Sequence, residues 1–574
     1  MKRQTFVISA IILTLGGFFA KAIGAIYKIP LTNILGSSGM GVYYLIFPIY
    51  SLVITLCSSG LSVALTCEVA KCRKIRHKYN EQKLLRVALL ISFFVSLVFS
   101  VLVIIFAKML AEMQGNVNAY TGYIAIAPSI ILSSLIATLR GYFQGIENMI
   151  PTTISLIIEQ IIKLGLGLVL AHRLCIYGIE YAVLGAVLGV TISEVVALII
   201  IVINFVTYKG QLYYNYRNLS FKRRKKLQIS NSLKSSSPCK IATAKSKSKT
   251  YICNSKMQRY STRVALQKLL KLALPCTFSS VLIPISSMLD SFMIINLLTQ
   301  SGYSLVVSTS LYGLWGGVIQ SLISLPTIVI SAVTTSLVPS LSGLVVKNDT
   351  NEIRKKIALF IKLTWVIAMG IFILFYVFAG DILTFLYGRG LNDGVLSELE
   401  IATNMLRISS LSIIYYAFLQ TFTSILQTIG KSKTPFFALL VGIVLRTGLV
   451  WGLTLIPNIN VYGVVVANII YLSVTDIVLA VVIVKRVDLR LDIKSLINPL
   501  IVGFVVLAFG SVTHMALKKY LSYIVSTLII GVVVACVYVL CIYFGRVFSE
   551  SELRFFRRKK LSPKLKSKSL VKPD

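Results

Sequence analysis

The residues able to do chemistry are few, and most stand where charge is least welcome. Lys21, Lys163, Arg407 and Arg446 lie deep inside long apolar runs, as do the acids Glu194, Asp290 and Asp476. A charged side chain at the centre of a membrane helix costs about 2.5–3.5 kcal/mol on insertion scales, so each should face a bundle interior, a partner or a water-filled cavity. Lys21 and Lys28 are seven residues apart, about two helical turns, and so share one face. Lys28 is nearer the end of its run, where snorkelling to headgroups competes with a substrate role. Glu159 precedes Lys163 by one turn, the favourable order for an i,i+4 pair, so a self-neutralising pair and an anion site are equally good readings. Arg446 has no acid three or four positions away, and the expectation is that its charge stays available; it is the strongest single candidate. Glu194, Asp290 and Asp476 can each pair with a cation or sense a coupling ion.

The signs of these charges bear on the ligand. An exporter of cationic drugs needs acids in its cleft, whereas cations on both halves favour an anion, and lysine and arginine suit phosphate. There is no Walker phosphate loop, no H-E-x-x-H and no serine or cysteine nucleophile motif, so ATP hydrolysis and covalent catalysis lack support. His77, His172 and His514 are scattered, and the nine cysteines are an odd number with no C-x-x-C. No disulfide framework, metal site or other cofactor is expected, and the coupling ion is left open.

The elements that position these residues follow from composition. With 56% hydrophobic residues, 14% charged residues and a mean hydropathy of +0.83, the 574-residue chain is outside the soluble range, where about a quarter of residues are charged. Its 58 Lys plus Arg against 20 Asp plus Glu would suggest nucleic acid if they coated a folded surface. Most instead sit in short runs between apolar segments, so no nucleic acid partner is expected. The opening Met-Lys-Arg resembles a signal peptide, but its apolar run continues without a small-residue cleavage site and reads as a first span.

A window of about 20 apolar residues predicts an all-α polytopic membrane protein with fourteen spans. Their limits are 6–28, 40–64, 84–107, 119–139, 152–171, 181–207, 267–298, 309–337, 357–379, 401–427, 435–455, 462–484, 498–516 and 522–545. The seventh and eighth are long enough to be tilted or broken near Pro284 and Pro326. With both termini in the cytoplasm, most lysines and arginines fall inside, in loops such as 71–83, 347–356 and 485–494, while Asp381, Asp393, Glu398 and Glu400 fall in an outer loop. Residues 208–263, with Phe221-Lys222-Arg223-Arg224-Lys225-Lys226, read as a flexible basic cytoplasmic linker, and 546–574 as a basic tail able to lie on anionic lipid.

Internal repetition organises the spans. Phe143-Gln144-Gly145, Pro151, Lys163 and Tyr177-Gly178 recur as Leu426-Gln427, Gly430, Pro435, Arg446 and Tyr462-Gly463, at an offset of 283 to 285 residues. The copies are six spans apart and share one orientation. That predicts an N-terminal six-helix lobe over 1–207, the linker, a C-terminal six-helix lobe over 264–485 and two additional helices within 486–545. Two-lobed repeats of this kind are a transporter architecture, with polar residues of each lobe meeting near the bilayer midplane.

The run Arg140-Gly141-Tyr142-Phe143-Gln144-Gly145, followed by Asn148-Met149-Ile150-Pro151 and Glu159-Gln160, resembles the polysaccharide-exporter and lipid-flippase branch of the multidrug/oligosaccharidyl-lipid/polysaccharide (MOP) superfamily. Gly178-Ile179-Glu180-Tyr181, Leu325-Pro326 and Leu337-Val338-Pro339 extend the likeness, which spans roughly residues 5–545. The resemblance implies a two-lobed, V-shaped transporter of the bacterial cytoplasmic membrane that moves an undecaprenyl-pyrophosphate-linked sugar by alternating access. Peptidoglycan precursor, with the spore cortex as one destination, is the substrate the resemblance favours. It implies that spans 13 and 14 form a groove for the lipid tail and that Lys21 matches a basic position facing the central cavity. The acid that some members carry early in the second span has no counterpart near Val42 to Tyr44.

The working expectation is that Lys21, Lys163 and Arg446, helped by Lys28 and Arg407, gather the pyrophosphate while the polyprenyl tail stays in lipid. Arg140, Gly141, Gln144 and Gly145 have two readings: a positively charged turn with glycines that let it be tight, or a cytoplasmic gate. A small-molecule or multidrug exporter of the same fold is the first alternative. A non-transporting membrane scaffold for cell-wall synthesis proteins is the second.

Overall fold

In a bilayer the polarity of a packed helix is inverted: small polar groups turn inward, where they find partners, and apolar groups face lipid. The helix Lys78–Met113 shows this plainly. Ser92, Ser96 and Ser100 recur every four residues and are buried, with Ser92 sharing a hydrogen bond with Ser134 at 2.8 Å and Ser100 Oγ donating to the Ala127 carbonyl at 2.7 Å. Leu90, Phe94, Val98, Val101 and Ile105 occupy the opposite, exposed face.

The computed structural model describes residues 6–75, 77–232, 259–347, 350–388, 390–391, 398–431, 433–456, 459–488, 493–517 and 523–544. Their helices are α1 (Phe6–Ile54), α2 (Gly60–Lys74), α3 (Lys78–Met113), α4 (Tyr120–Gly145), α5 (Ile150–Leu174), α6 (Ile179–Ser232), α7 (Thr262–Gln300) and α8 (Leu305–Gly313). They continue as α9 (Gln320–Lys347), α10 (Thr350–Val377), α11 (Ala379–Tyr387), α12 (Glu398–Thr428), α13 (Lys433–Thr454), α14 (Tyr462–Val487), α15 (Ile493–Leu517) and α16 (Tyr523–Phe544). No strand occurs among the described residues.

Among the described residues all fourteen expected spans fall on helix, with positions 522 and 545 of the last one outside them. Among the described residues twelve stretches are long and apolar enough to cross a membrane; the first, Ile12–Lys74, contains two expected spans, and the shorter apolar helix Ile529–Phe544 accounts for the fourteenth. The first two spans are joined without a separate loop: α1 is helical throughout except at Gly36, whose φ of 66° lies in the left-handed region that glycine enters without a Cβ penalty. The expected break near Pro326 is displaced. Pro326 lies within α9, and the irregularity is a π-helical turn at Leu314–Ile319, matched by another at Thr55–Ser59 in the second span. A single inserted residue in the hydrogen-bond ladder re-aims a helix without proline. α7 runs unbroken past both Pro275 and Pro284.

Helix α6 also continues past its apolar part to Ser232, so the basic run 221–226 lies on helix where an unstructured linker is expected. Residues 233–258 of that linker, and the basic tail from 545 onward, lie outside the described residues.

The chain forms two compact units. Unit 1 comprises Met1–Gly24, Ile46–Glu112 and Val117–Met288; unit 2 comprises Ala25–Leu45, Met113–Asn116 and Leu289–Asp574. The core of unit 1 is centred on Leu61, Leu65, Leu84, Phe143 and Leu269, from α2, α3, α4 and α7. In unit 2, Val366, Met369 and Ile373 of α10 pack with Ile414 of α12, Val506 of α15 and Val534 of α16, which seats the two additional helices.

Candidate functional site

In unit 1 the polar groups converge between α1, α4, α5 and α6. Glu194 of α6 is buried, and its Oε1 accepts from the Tyr50 hydroxyl and from Ser133 Oγ at 2.5 Å; its Oε2 has no hydrogen-bond partner among the described residues. Lys163 and Glu159 lie within electrostatic reach of Glu194, and the Lys163 ammonium sits 5.4 Å from the centre of the Phe47 ring. Tertiary packing gives Glu159 a further donor, from another helix. Arg140 Nη2 of α4 reaches Glu159 Oε2 at 2.8 Å and Ser155 Oγ at 2.8 Å, while Gln160 Nε2 donates to Glu159 Oε1 at 3.1 Å. Two cations and two acids thus share one interior.

The Arg140 motif is built differently from the turn expected of it. Gly141 and Gly145 are inside α4, buried, and four residues apart. A Cβ on Gly141 would stand 2.6 Å from Ser62 Oγ and 2.7 Å from the Ser62 carbonyl; one on Gly145 would stand 2.9 Å from the Thr66 carbonyl and from Val69. These are backbone-to-backbone approaches of the small-xxx-small kind, sealed by Ser62 Oγ donating to the Ala137 carbonyl and Thr66 Oγ1 donating to the Gly141 carbonyl, each at 2.9 Å. The turn itself is made by Glu147, at φ 61°.

In unit 2, Arg446 is buried and forms a bidentate pair with Asp290 of α7, Nη1 to Oδ1 at 2.6 Å and Nη2 to Oδ2 at 2.8 Å. The expectation that its charge stays available is therefore overturned. The i,i+4 rule sees only neighbours on one helix, and the neutralising acid is 156 residues away in sequence. Asp476 of α14 is 5% exposed, and neither carboxyl oxygen has a hydrogen-bond partner among the described residues.

The two units share a pattern that the sequence analysis missed. Lys163 and Glu194 recur, at offsets of 283 and 282, as Arg446 and Asp476. In each copy a mid-helix cation on the fifth span is followed by a buried acid on the sixth. Extending the repeat by one helix would have found it. The copies differ in what the cation meets: Lys163 is near its own Glu194, whereas Arg446 is taken by Asp290 and Asp476 is left with burial alone.

The remaining candidates are more open. Lys21 is exposed on α1, within unit 1; Lys28, in unit 2, is half-buried, its ammonium 5.2 Å from the centre of the Tyr44 ring. Neither has an ion pair among the described residues. Arg407 of α12 is exposed beside Tyr376, Asn404, Ile408 and Tyr462. Of the histidines, His514 near the end of α15 pairs with Asp381 of α11 and stands edge-on to Phe378, which ties an additional helix to the short α11.

Comparison with known proteins bears on the fold and the family. The model of the family described as "Polysaccharide biosynthesis protein" matches residues 6–244, and that of the family "MatE" matches residues 275–451. Stage V sporulation protein B of Bacillus subtilis (strain 168) is 23% identical over 559 residues, 96% of this chain and 98% of that protein. The lipid II flippase MurJ of the same organism is 22% identical over 485 residues, 81% of this chain and 79% of that protein. Among solved structures, an inward closed conformation of a lipid II flippase MurJ superposes with a TM-score of 0.64 at 15% identity, covering 94% of this chain and all of that one. An inward-facing multidrug resistance MATE family transporter gives 0.63 at 14% identity over 82% of this chain and 94% of its own. With helices, repeat and both family matches in agreement, the chain resembles the flippases and exporters of the MOP superfamily, stage V sporulation protein B among them.

Proposed function

We propose that this protein translocates an undecaprenyl-pyrophosphate-linked saccharide, a peptidoglycan precursor of the lipid II type, across the bacterial cytoplasmic membrane, with both its termini in the cytoplasm. The observation that carries the reading is the state of the cations on α1. Lys21 and Lys28 have no ion pair among the described residues, whereas Arg140 and Arg446 are each paired with an acid. A pyrophosphate supplies the negative charge that Lys21 lacks, and lysine is a strong phosphate ligand. The likeness to stage V sporulation protein B over 96% of this chain, and to a lipid II flippase over 81% of it, supports the substrate class and a role in sporulation.

Arg446 and Lys163 hold positions in the scaffold of this mechanism, and Glu194 and Asp476 are its coupling acids. Asp476 is the stronger of the two, since a buried carboxyl without a hydrogen bond is costly to keep unless it exchanges an ion. Arg140 and its helix form the cytoplasmic gate.

The test is made in cells lacking this protein and any redundant flippase, by asking whether precursor becomes shielded from an external enzyme that cleaves exposed headgroups. Wild-type protein should restore exposure, and Lys21→Gln should not, at equal membrane abundance. Precursor that stays exposed in the deleted strain would remove the lipid-linked substrate. The MatE match over 275–451 would then direct the search to small-molecule export.

A further inference from the structure

Unit 2 carries an open cleft of about 460 Å³ where α10 ends and α14 begins, lined by Tyr376, Asn404, Arg407, Ile408 and Tyr462. Tyr376 is the penultimate residue of α10 and Tyr462 the first of α14. Arg407 lies nine residues into α12, about 13 Å along its axis at 1.5 Å per residue. Helical side chains lean toward the N-terminus, so its guanidinium rises toward the level of the two tyrosines.

Arg407 is exposed, and its side chain has no acidic or hydrogen-bonding partner among the described residues; only its carbonyl is engaged, accepting from Ser410 Oγ at 2.6 Å. Elsewhere in unit 2, Arg446 is matched by Asp290 and Arg354 by Asp488. An unmatched guanidinium on a residue about two and a half turns into its helix calls for an anion that arrives from outside the chain. Its planar fork suits two phosphate oxygens at once. The Asn404 amide and two tyrosine hydroxyls add donors, and the tyrosines mark headgroup level, where such rings collect. Ile408, one residue deeper and exposed, offers an apolar surface beside the polar group.

We propose that this cleft is a phosphate site for the headgroup of an anionic membrane lipid, held by Arg407 with Asn404, Tyr376 and Tyr462. The site is separate from the α1 lysines and does not depend on the transport substrate assigned above. The ligand is recognised by its phosphate; a lipid and free inorganic phosphate share that chemistry, and the experiment separates them.

Full-length protein in detergent is titrated with phosphatidylglycerol, with phosphatidylethanolamine, with diacylglycerol and with inorganic phosphate, and adducts are counted by native mass spectrometry. Phosphatidylglycerol should bind wild type about tenfold more tightly than it binds Arg407→Gln, the effect of about one charge-assisted hydrogen bond. Arg407→Lys should fall between them, since an ammonium keeps the charge without the fork. Competition by inorganic phosphate would assign the affinity to the phosphate alone, and its failure to compete would assign it to the lipid; either result supports the site. Equal binding of phosphatidylglycerol to wild type and Arg407→Gln, or of diacylglycerol and phosphatidylglycerol to wild type, would overturn it. If Arg407→Gln does not fold, the variant Asn404→Ala/Tyr462→Phe must itself lose phosphatidylglycerol binding, and unchanged binding there counts equally against the proposal.

Discussion

Replacing Arg446 alone and replacing Asp290 alone should be unequally damaging, and replacing both should cost less than the sum. The side chain of Arg446 is 4% exposed and that of Asp290 is 15% exposed, and two charge-assisted hydrogen bonds of 2.6 and 2.8 Å join them. Breaking a buried pair by removing one partner costs about 3–5 kcal/mol, mostly because a charge is left buried without compensation. Asp290→Asn leaves the deeper charge, the guanidinium, and belongs at the upper end of that range. Arg446→Met leaves the better-solvated carboxylate and belongs at the lower end. The double variant leaves no charge, so a coupling of about 2–3 kcal/mol should appear in the cycle. Denaturant unfolding in mixed micelles would measure it, with the fluorescence of Trp451 on the same helix as a local probe. A cycle that closes to within about 0.5 kcal/mol would refute the pair, and with it the conclusion that Arg446 is neutralised. If the coupling is found, loss of transport in an Arg446 variant reports damage to unit 2 rather than loss of a ligand contact.

Lys21→Gln, at an exposed position, should leave the melting temperature within a few degrees of wild type while abolishing precursor exposure; parallel losses in both readouts would make Lys21 structural. Asp476→Asn removes a carboxyl with no hydrogen-bond partner, so it should melt at or above the wild-type temperature while uncoupling transport from its ion gradient, and a drop of several degrees would mean that the carboxyl has a partner. Gly145→Val places side-chain atoms against the Thr66 carbonyl and Val69 and should cost about 1–3 kcal/mol by overpacking, measured as a lower unfolding midpoint. His514→Phe, by removing the imidazole that meets the buried Asp381, should cost about as much, and Asp381→Asn/His514→Gln should recover part of the loss.

What the sequence determined by itself was the part governed by the solvent. A bilayer demands about 20 apolar residues per crossing and tolerates few charges, and those two constraints placed every span from Phe6 to Phe544 and exposed the repeat through Pro151 and Pro435. The same constraints singled out Lys163, Arg446, Glu194, Asp290 and Asp476 as interior charges. What they could not assign was which charge meets which. Arg446 and Asp290 are 156 residues apart and meet only in the folded unit 2, and Glu159 takes Arg140 of α4, whose Nη2 comes within 2.8 Å of its Oε2. The glycines of α4 look like turn residues until α2 is laid against them. Helical spacing reports contacts within one element, where three or four residues make a turn; an ion pair between elements depends on how whole helices pack, and that information is spread over the entire core. The tertiary structure therefore decided which cations are matched by an acid of the chain and which, on α1 and α12, have no ion pair among the described residues.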